Sequence, residues 1–168
     1  MIFVTIGASE FQFNRMLRWV DRALEDLSIP REEIFFQVGC SSYRPRTGES
    51  VDYIDFHGME ERIKKANIVI CHAGVGTILI SLVNGKKPIV IPRREEYAET
   101  VDNHQVIFAS HLAANNLVVY PLNNRDLKEA ITATPAPVER VGRLTSSDQS
   151  RDRLISYLDA WVKEKAGG

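Results

Sequence analysis

Ile68-Val69-Ile70-Cys71-His72-Ala73-Gly74-Val75-Gly76-Thr77, continued by the apolar run Ile78 to Val83, decides how this chain folds. A β-branched apolar run, two closely spaced glycines and a second apolar run read as strand, tight turn and helix. Such a turn aims backbone N–H groups and the positive end of a helix at one point, where anions bind. The glycines serve a tight turn whether or not a ligand is present. The stretch therefore fixes a local fold first and leaves the ligand open.

Working outward, the same unit recurs. Ile2-Phe3-Val4-Thr5-Ile6 is a continuous β-rich run ended by Gly7, as suits a strand buried on both faces. Phe13, Leu17, Val20, Leu24 and Leu27 then describe one helix stripe, which Ser28-Ile29-Pro30 ends. Ile34 to Val38 is a second strand closed by Gly39, and the polar stretch Ser41 to Ser50 is a loop. Val51 to Phe56 reads as a short strand and Met59 to Lys65 as a short helix. Beyond the central turn, Gly85 suits a left-handed helix cap, and Pro88 to Pro92 holds the next strand. A charged loop from Arg93 to Thr100 leads to a helix over Val101–Ala113, a strand at Leu117–Tyr120 and a helix over Asn124–Thr134. Pro135 and Pro137 break the chain before a final helix at 148–165, with Leu154, Leu158, Trp161 and Val162 on one face. Strands alternating with helices, and strands that are apolar throughout, mean one doubly wound α/β domain over 1–168 built on a parallel sheet. Ligands in such sheets bind beyond the C-terminal strand ends, so the loops after Ile6, Val38, Phe56, Cys71 and Ile91 carry the candidates.

Composition narrows the classes. A chain of 168 residues suits one well-buried core. At 44% hydrophobic and 26% charged residues with net charge −1, nothing global draws it to nucleic acid or an anionic membrane. The start, Met1 to Gly7, has no basic segment and too short an apolar stretch for a signal peptide, and no run approaches the ~20 residues that span a bilayer. Cys40 and Cys71 have no metal-ligand spacing and read as free buried thiols of a reducing compartment. A cytoplasmic domain is the expectation.

Three of the edge loops hold polar groups that burial does not require. Gly7-Ala8-Ser9-Glu10 follows the first strand, the His72–Thr77 turn the middle one, and Arg93 through Gln105 the next. His72 is either a ligand contact or a hydrogen-bonded core histidine. Thr77 is either a contact or a first-turn residue that satisfies backbone. Asp102-Asn103-His104-Gln105 would start a helix, and one of them would cap it. Four consecutive hydrogen-bonding side chains exceed what a cap needs, and amide beside imidazole suits several hydroxyls, as on a sugar ring. Glu10, Glu95, Glu96 and Glu99 are candidate general bases. The chain has no Walker A lysine, no GxSxG elbow and no HExxH pair, and its four histidines lack metal spacing.

Taken in order, Gly7 with Glu10, Phe13-Asn14-Arg15, His72-Ala73-Gly74, Gly85-Lys86-Lys87-Pro88, Pro92-Arg93-Arg94 and Asp102-Asn103-His104-Gln105 resemble a known family. The set resembles the small catalytic subunits of bipartite bacterial glycosyltransferases of exopolysaccharide and capsule synthesis. These are related to the C-terminal halves of family 28 glycosyltransferases and to the nucleotide-sugar subunit of the eukaryotic two-part N-glycan GlcNAc transferase. The resemblance implies a Rossmann-like fold, the donor-binding C-terminal half of a GT-B enzyme. It implies a UDP-sugar as donor substrate, no metal and no other cofactor. A separate, membrane-associated acceptor-binding subunit would bring this one to a lipid-linked saccharide at the inner face of the membrane. By the same resemblance His72 meets the donor diphosphate, Gly74, Gly76, Thr77 and Gly7 line it, and Asn103, His104 and Gln105 read the donor sugar. His72 and Glu10 are then the candidate catalytic residues, with the general base open between Glu10 and the partner.

Two positions depart from that pattern. Ile80 stands where many relatives hold the donor ribose with a glutamate, and Ala8-Ser9 where close bacterial relatives often have Thr-His. These departures keep a second reading open, a non-catalytic nucleotide-sugar-binding module acting as a regulatory or assembly partner.

Overall fold

Five parallel strands form one sheet in the order β3-β2-β1-β4-β5, in a computed structural model that describes residues 1–133. The breaks at Pro135 and Pro137, the predicted helix at 148–165 and Trp161 lie outside the described residues. The strands are β1 (Ile2–Thr5), β2 (Ile34–Gln37), β3 (Glu49–Val51), β4 (Ile68–His72) and β5 (Ile89–Ile91). The helices are α1 (Asn14–Asp26), α2 (Phe56–Lys65), α3 (Val75–Val83), α4 (His104–Ala114) and α5 (Asn124–Thr132).

The parallel sheet is wound both ways from β1, as the apolar runs required. Alternate strand residues face opposite layers. Ile2, Val4, Ile6, Ile34 and Phe36 pack against Met16, Leu17, Val20 and Leu24 of α1 and Leu127 and Ile131 of α5. Phe3, Phe35, Val69, Cys71 and Val90 pack against Ile63 of α2, Ile78 and Leu82 of α3, and Phe108 and Leu112 of α4. Each fully buried Val, Ile, Leu or Phe contributes about 1.5–3 kcal/mol, so two covered faces explain why these short strands hold.

Several boundaries differ from the sequence reading, each for a local reason. β3 is Glu49–Val51 rather than Val51–Phe56, because the Asp55 carboxylate caps α2 by accepting from Gly58 N at 2.7 Å. The helix therefore begins at Phe56. The strand expected at Leu117–Tyr120 is reduced to a single parallel bridge at Val119, whose backbone pairs with Pro88 and Val90. α4 starts at His104 instead of Val101, which leaves Asp102 and Asn103 in the turn before it. Cys40 is exposed, so only Cys71 fits the buried-thiol expectation. Gly85 takes φ +69°, and Lys86 N reaches back to Ser81 O at 2.9 Å, closing α3 as expected.

The polar loop after β2 is tied down by one carboxylate. Asp21, buried in α1, accepts from Tyr43 Oη (2.6 Å), Arg46 N (3.1 Å), Thr47 N (3.0 Å) and Thr47 Oγ1 (2.6 Å). Burial pushes its pKa up, but the hydrogen bonds from Thr47, Tyr43 and Arg46 together outweigh it, and the carboxyl sits below its ordinary 3.8. Its contribution to stability is therefore whole above that ordinary value and is lost as pH falls through the lower folded value. Asp21→Asn replaces an acceptor with an NH2 facing backbone donors. It should lower stability in urea at pH 7 by about 2 kcal/mol, with the difference from the native chain shrinking at acid pH.

Candidate functional site

Parallel pairing brings the ends of β1, β2 and β4 into line, with Thr5 opposite both Gln37 and Cys71. The residues that follow converge at this edge. β4 extends one residue beyond the sequence expectation, so His72 is a strand residue on the same side as Ile70, facing the α1 layer.

There the imidazole is held between two glycines. A Cβ on Gly7 would lie 2.5 Å from His72 Cε1, and a Cβ on Gly74 would lie 2.1 Å from Nε2. Gly7 also has φ +75°, a conformation that penalises any side chain. Gly74 has ordinary extended backbone, φ −85°, so its need for glycine is the ring and not the turn. Both glycines thus make room for one histidine. Gly76 differs: nothing among the described residues lies within 4 Å of its Cβ position, so their packing gives no reason for glycine there.

Three backbone donors stand beside the ring. No side chain caps α3, and its first intrahelical bond runs from Ile78 N to Gly74 O at 3.1 Å. The N–H groups of Val75, Gly76 and Thr77 are left without an intrahelical acceptor, and Val75 and Gly76 are exposed. With the helix dipole behind them, these groups have the geometry that suits an anion. The Thr77 hydroxyl is turned away from them, buried against Met59 Sδ at 3.9 Å, so Thr77 brings its backbone to the turn and its side chain to the α2 contact.

His72 is neutral at physiological pH. Burial, and next the positive charge of Arg93, lower its pKa from 6.5 to about 4, and the Thr5 backbone opposes only weakly. Its buried Nδ1 has no well-formed hydrogen bond among the described residues. Protonation favours the unfolded chain, so the contribution of this half-buried ring is whole above pH 6.5 and declines as pH falls toward 4.

Arg93 was visible in the sequence only as part of a charged loop, yet it is among the most buried side chains of the protein, 1% exposed. Its Nη1 donates to Phe11 O (2.8 Å), Gln12 O (3.3 Å) and Glu99 O (3.1 Å), and its Nη2 to Ile6 O (3.0 Å). The guanidinium also lies 4.7 Å from the Phe13 ring centre. It stitches the loop after β1 to the loop after β5. Glu99 completes the join: its carboxylate accepts from Arg15 Nε (2.9 Å) and Nη2 (2.8 Å) and from Arg94 N (3.1 Å). Buried and bidentate, Glu99 is a structural anion and no longer a candidate base. No sequence rule singles out such residues, because an Arg-Arg-Glu-Glu run looks solvated until the loop is folded.

The Asp102–Gln105 cluster divides. Gln105 Oε1 accepts from Arg93 N (3.1 Å), and Asn103 Oδ1 accepts from Glu95 N (3.2 Å), so each amide spends its oxygen on the loop after β5. Asp102 accepts from His104 N (3.0 Å), and its other oxygen lies 2.9 Å from His104 Nδ1. His104 is exposed, and this contact orients its ring at the edge. Glu10 is exposed on the loop after β1, and Cys40 Sγ donates to its carbonyl at 3.2 Å.

A doubly wound parallel sheet with no side-chain cap on the helix start at its C-terminal edge defines a Rossmann-like α/β protein. The chain belongs to the family of the glycosyltransferase family 28 C-terminal domain, whose sequence profile matches residues 1–155. It is 26% identical over 156 residues to the human UDP-N-acetylglucosamine transferase subunit ALG13, covering 87% of this chain and 13% of that relative. The fold matches the glycosyltransferase of kitacinnamycin (TM-score 0.61, 13% identity, 91% of this chain and 40% of that one). It also matches the calicheamicin glycosyltransferase CalG4 (0.60, 16%, 98% and 44%) and MurG of Acinetobacter baumannii (0.57, 16%, 94% and 49%). The chain thus spans less than half of each of these proteins. The architecture is that of the C-terminal domain of a GT-B glycosyltransferase.

The three glycines of the site should separate in a thermal or urea denaturation series. Gly7→Ala and Gly74→Ala force the His72 ring aside and should each cost about 1–3 kcal/mol. Gly76→Ala, in an open first helical turn, should leave stability unchanged or raise it by about 0.5–1 kcal/mol.

Proposed function

We propose that this chain is the donor-binding subunit of a two-part glycosyltransferase, taking a UDP-sugar and transferring the sugar to a polyprenyl-diphosphate-linked acceptor in exopolysaccharide or capsule synthesis. The observation that carries the reading is the N–H trio of Val75, Gly76 and Thr77, without an acceptor in its own helix, beside a half-buried, neutral His72. Transfer from a nucleoside diphosphate builds negative charge on the leaving diphosphate, and prearranged donors stabilise that charge without reorganising. Three backbone N–H groups and an imidazole N–H supply such donors with no metal. A neutral ring also avoids trapping the product diphosphate as tightly as a fixed cation would. The name of the human relative, a UDP-N-acetylglucosamine transferase subunit, favours the same donor class.

In this reading Gly76 lets the diphosphate approach the backbone, Gly7 and Gly74 line its site by seating the His72 ring, and His104, Asn103 and Gln105 face the donor sugar. Glu10, on the loop after β1, is the local choice of base; otherwise the base comes from the partner. Exposed apolar side chains at this same edge support a partner. Tyr53 and Phe56 lie beyond β3, and Tyr97 and Val101 beyond β5. The partner is the membrane-associated acceptor half, which would hold this subunit at the cytoplasmic face. A non-catalytic nucleotide-sugar-binding module is the second reading. It is favoured by the commitment of Glu99 to Arg15, which removes one carboxylate from the site.

Reconstituted with its membrane partner, the protein should transfer sugar from a UDP-sugar to a lipid-linked acceptor, and His72→Ala should lose most turnover while its unfolding midpoint stays close to native. Unchanged turnover in that variant sinks the phosphate role. Calorimetry should show Gly76→Ala binding UDP more weakly despite equal or greater stability. Binding without transfer in the reconstituted pair selects the module.

A further inference from the structure

Gln37 ends β2 with a buried side-chain amide whose hydrogen-bonding capacity is full. Its Oε1 accepts from Thr5 Oγ1 (2.6 Å) and Gly7 N (3.1 Å), and its Nε2 donates to Gly7 O (3.1 Å) and Asp52 O (2.8 Å). An amide that grips both the N–H and the C=O of one residue acts as a substitute strand partner, fixing its position and its rotation together. The gripped residue is Gly7, the wall against which the His72 ring rests. The main chain cannot make this grip, since β1 ends at Thr5 and Ile6 N already donates to Gln37 O at 3.2 Å. On the opposite side Arg93 Nη2 holds Ile6 O at 3.0 Å, so the glycine is clamped from two directions.

We infer that Gln37 is a positioning residue for the phosphate turn: by fixing both sides of Gly7 it holds the His72 imidazole between Gly7 and Gly74, beside the free N–H groups of α3. Its importance for ligand binding rests on the donor-site reading above, whereas its hold on the ring does not. A leucine at position 37 fills a similar volume but grips nothing. The Gly7 peptide, its N–H then held only by Thr5 Oγ1 (3.2 Å) and its carbonyl released by the amide, swings and admits more water to the ring. A glutamate at 37 is informative because it is conditional. Protonated, its carboxyl accepts from Gly7 N and donates one hydrogen bond. Ionised, it faces the Gly7 and Asp52 carbonyls and is repelled. Burial raises the pKa of such a carboxyl into the neutral range.

The test follows the His72 Cε1–H resonance by NMR in the full chain from about pH 5.5 to 8, the range where an ordinary histidine titrates. In the native protein the signal should be single and flat. In Gln37→Leu it should shift with pH, and the affinity for UDP, measured in parallel, should fall about tenfold, the scale of one lost set of hydrogen bonds. In Gln37→Glu the native signal should return at the acid end alone. A His72 signal that is flat and native-like in both folded variants across the whole range overturns the inference, whatever their stability. Should the leucine variant fail to fold, the pH-conditional glutamate variant decides alone. If the native chain binds no UDP, the donor-site reading fails, while the His72 signal still decides the role of Gln37.

Discussion

Register in the three central strands is the constraint on which the site depends. Thr5 lies opposite Gln37 on one side and Cys71 on the other, so the chain leaves β1, β2 and β4 at one level. That level puts Gly7 in contact with both Gln37 and His72. A slip of one residue by β4 against β1 would send His72 to the opposite layer and exchange the apolar side chains that β4 gives to the two cores. The burial that stabilises the sheet therefore also aligns the site, and no separate interaction has to.

On this aligned edge the loops are fastened mainly by side chains reaching for backbone. Arg93 accounts for four carbonyl contacts, Gln37 for both polar atoms of Gly7, and Asp21 for the loop after β2. Burying a guanidinium is expensive unless its donors are met, and here Nη1 and Nη2 reach four loop carbonyls while the buried Nε has no partner among the described residues. The desolvation cost is offset by order in two loops at once. This economy explains why Arg93, a cation beside the proposed diphosphate turn, is not free to bind an anion directly. Its influence reaches the site through the loop it fixes and through its field, which helps keep His72 neutral.

The site is thus polarised by dipoles more than by charges. Backbone N–H groups at the start of α3 and an uncharged imidazole face the edge, and the buried charges behind them are internally paired. Glu99 is held by Arg15, and the Asp21 carboxylate by donors of its own loop. Dipoles fixed in advance answer developing charge in a departing group without binding the product strongly. On the rim, Tyr53, Phe56, Tyr97 and Val101 leave apolar surface uncovered beside this polar floor.

The apolar runs and their glycine stops determined the parallel α/β architecture by themselves, because a strand buried on both faces must be apolar throughout and must be followed by a turn. They also placed the turn at His72–Thr77 and the capping glycine at Gly85. Boundaries set by one capping carboxylate or one bridge, such as the start of α2 and the residue at Val119, were beyond the pattern, since a single hydrogen bond decides them. Tertiary structure alone decided what each polar residue is for. His72 lost its charge to burial and to Arg93, a residue twenty-one positions away. Gly74 proved to make room for a ring, Thr77 turned its hydroxyl to Met59, Glu99 became a buried counter-ion and Gln37 took hold of Gly7. Those roles come from contacts between strand ends distant in the chain, and neither composition nor spacing carries the geometry that brings such ends together.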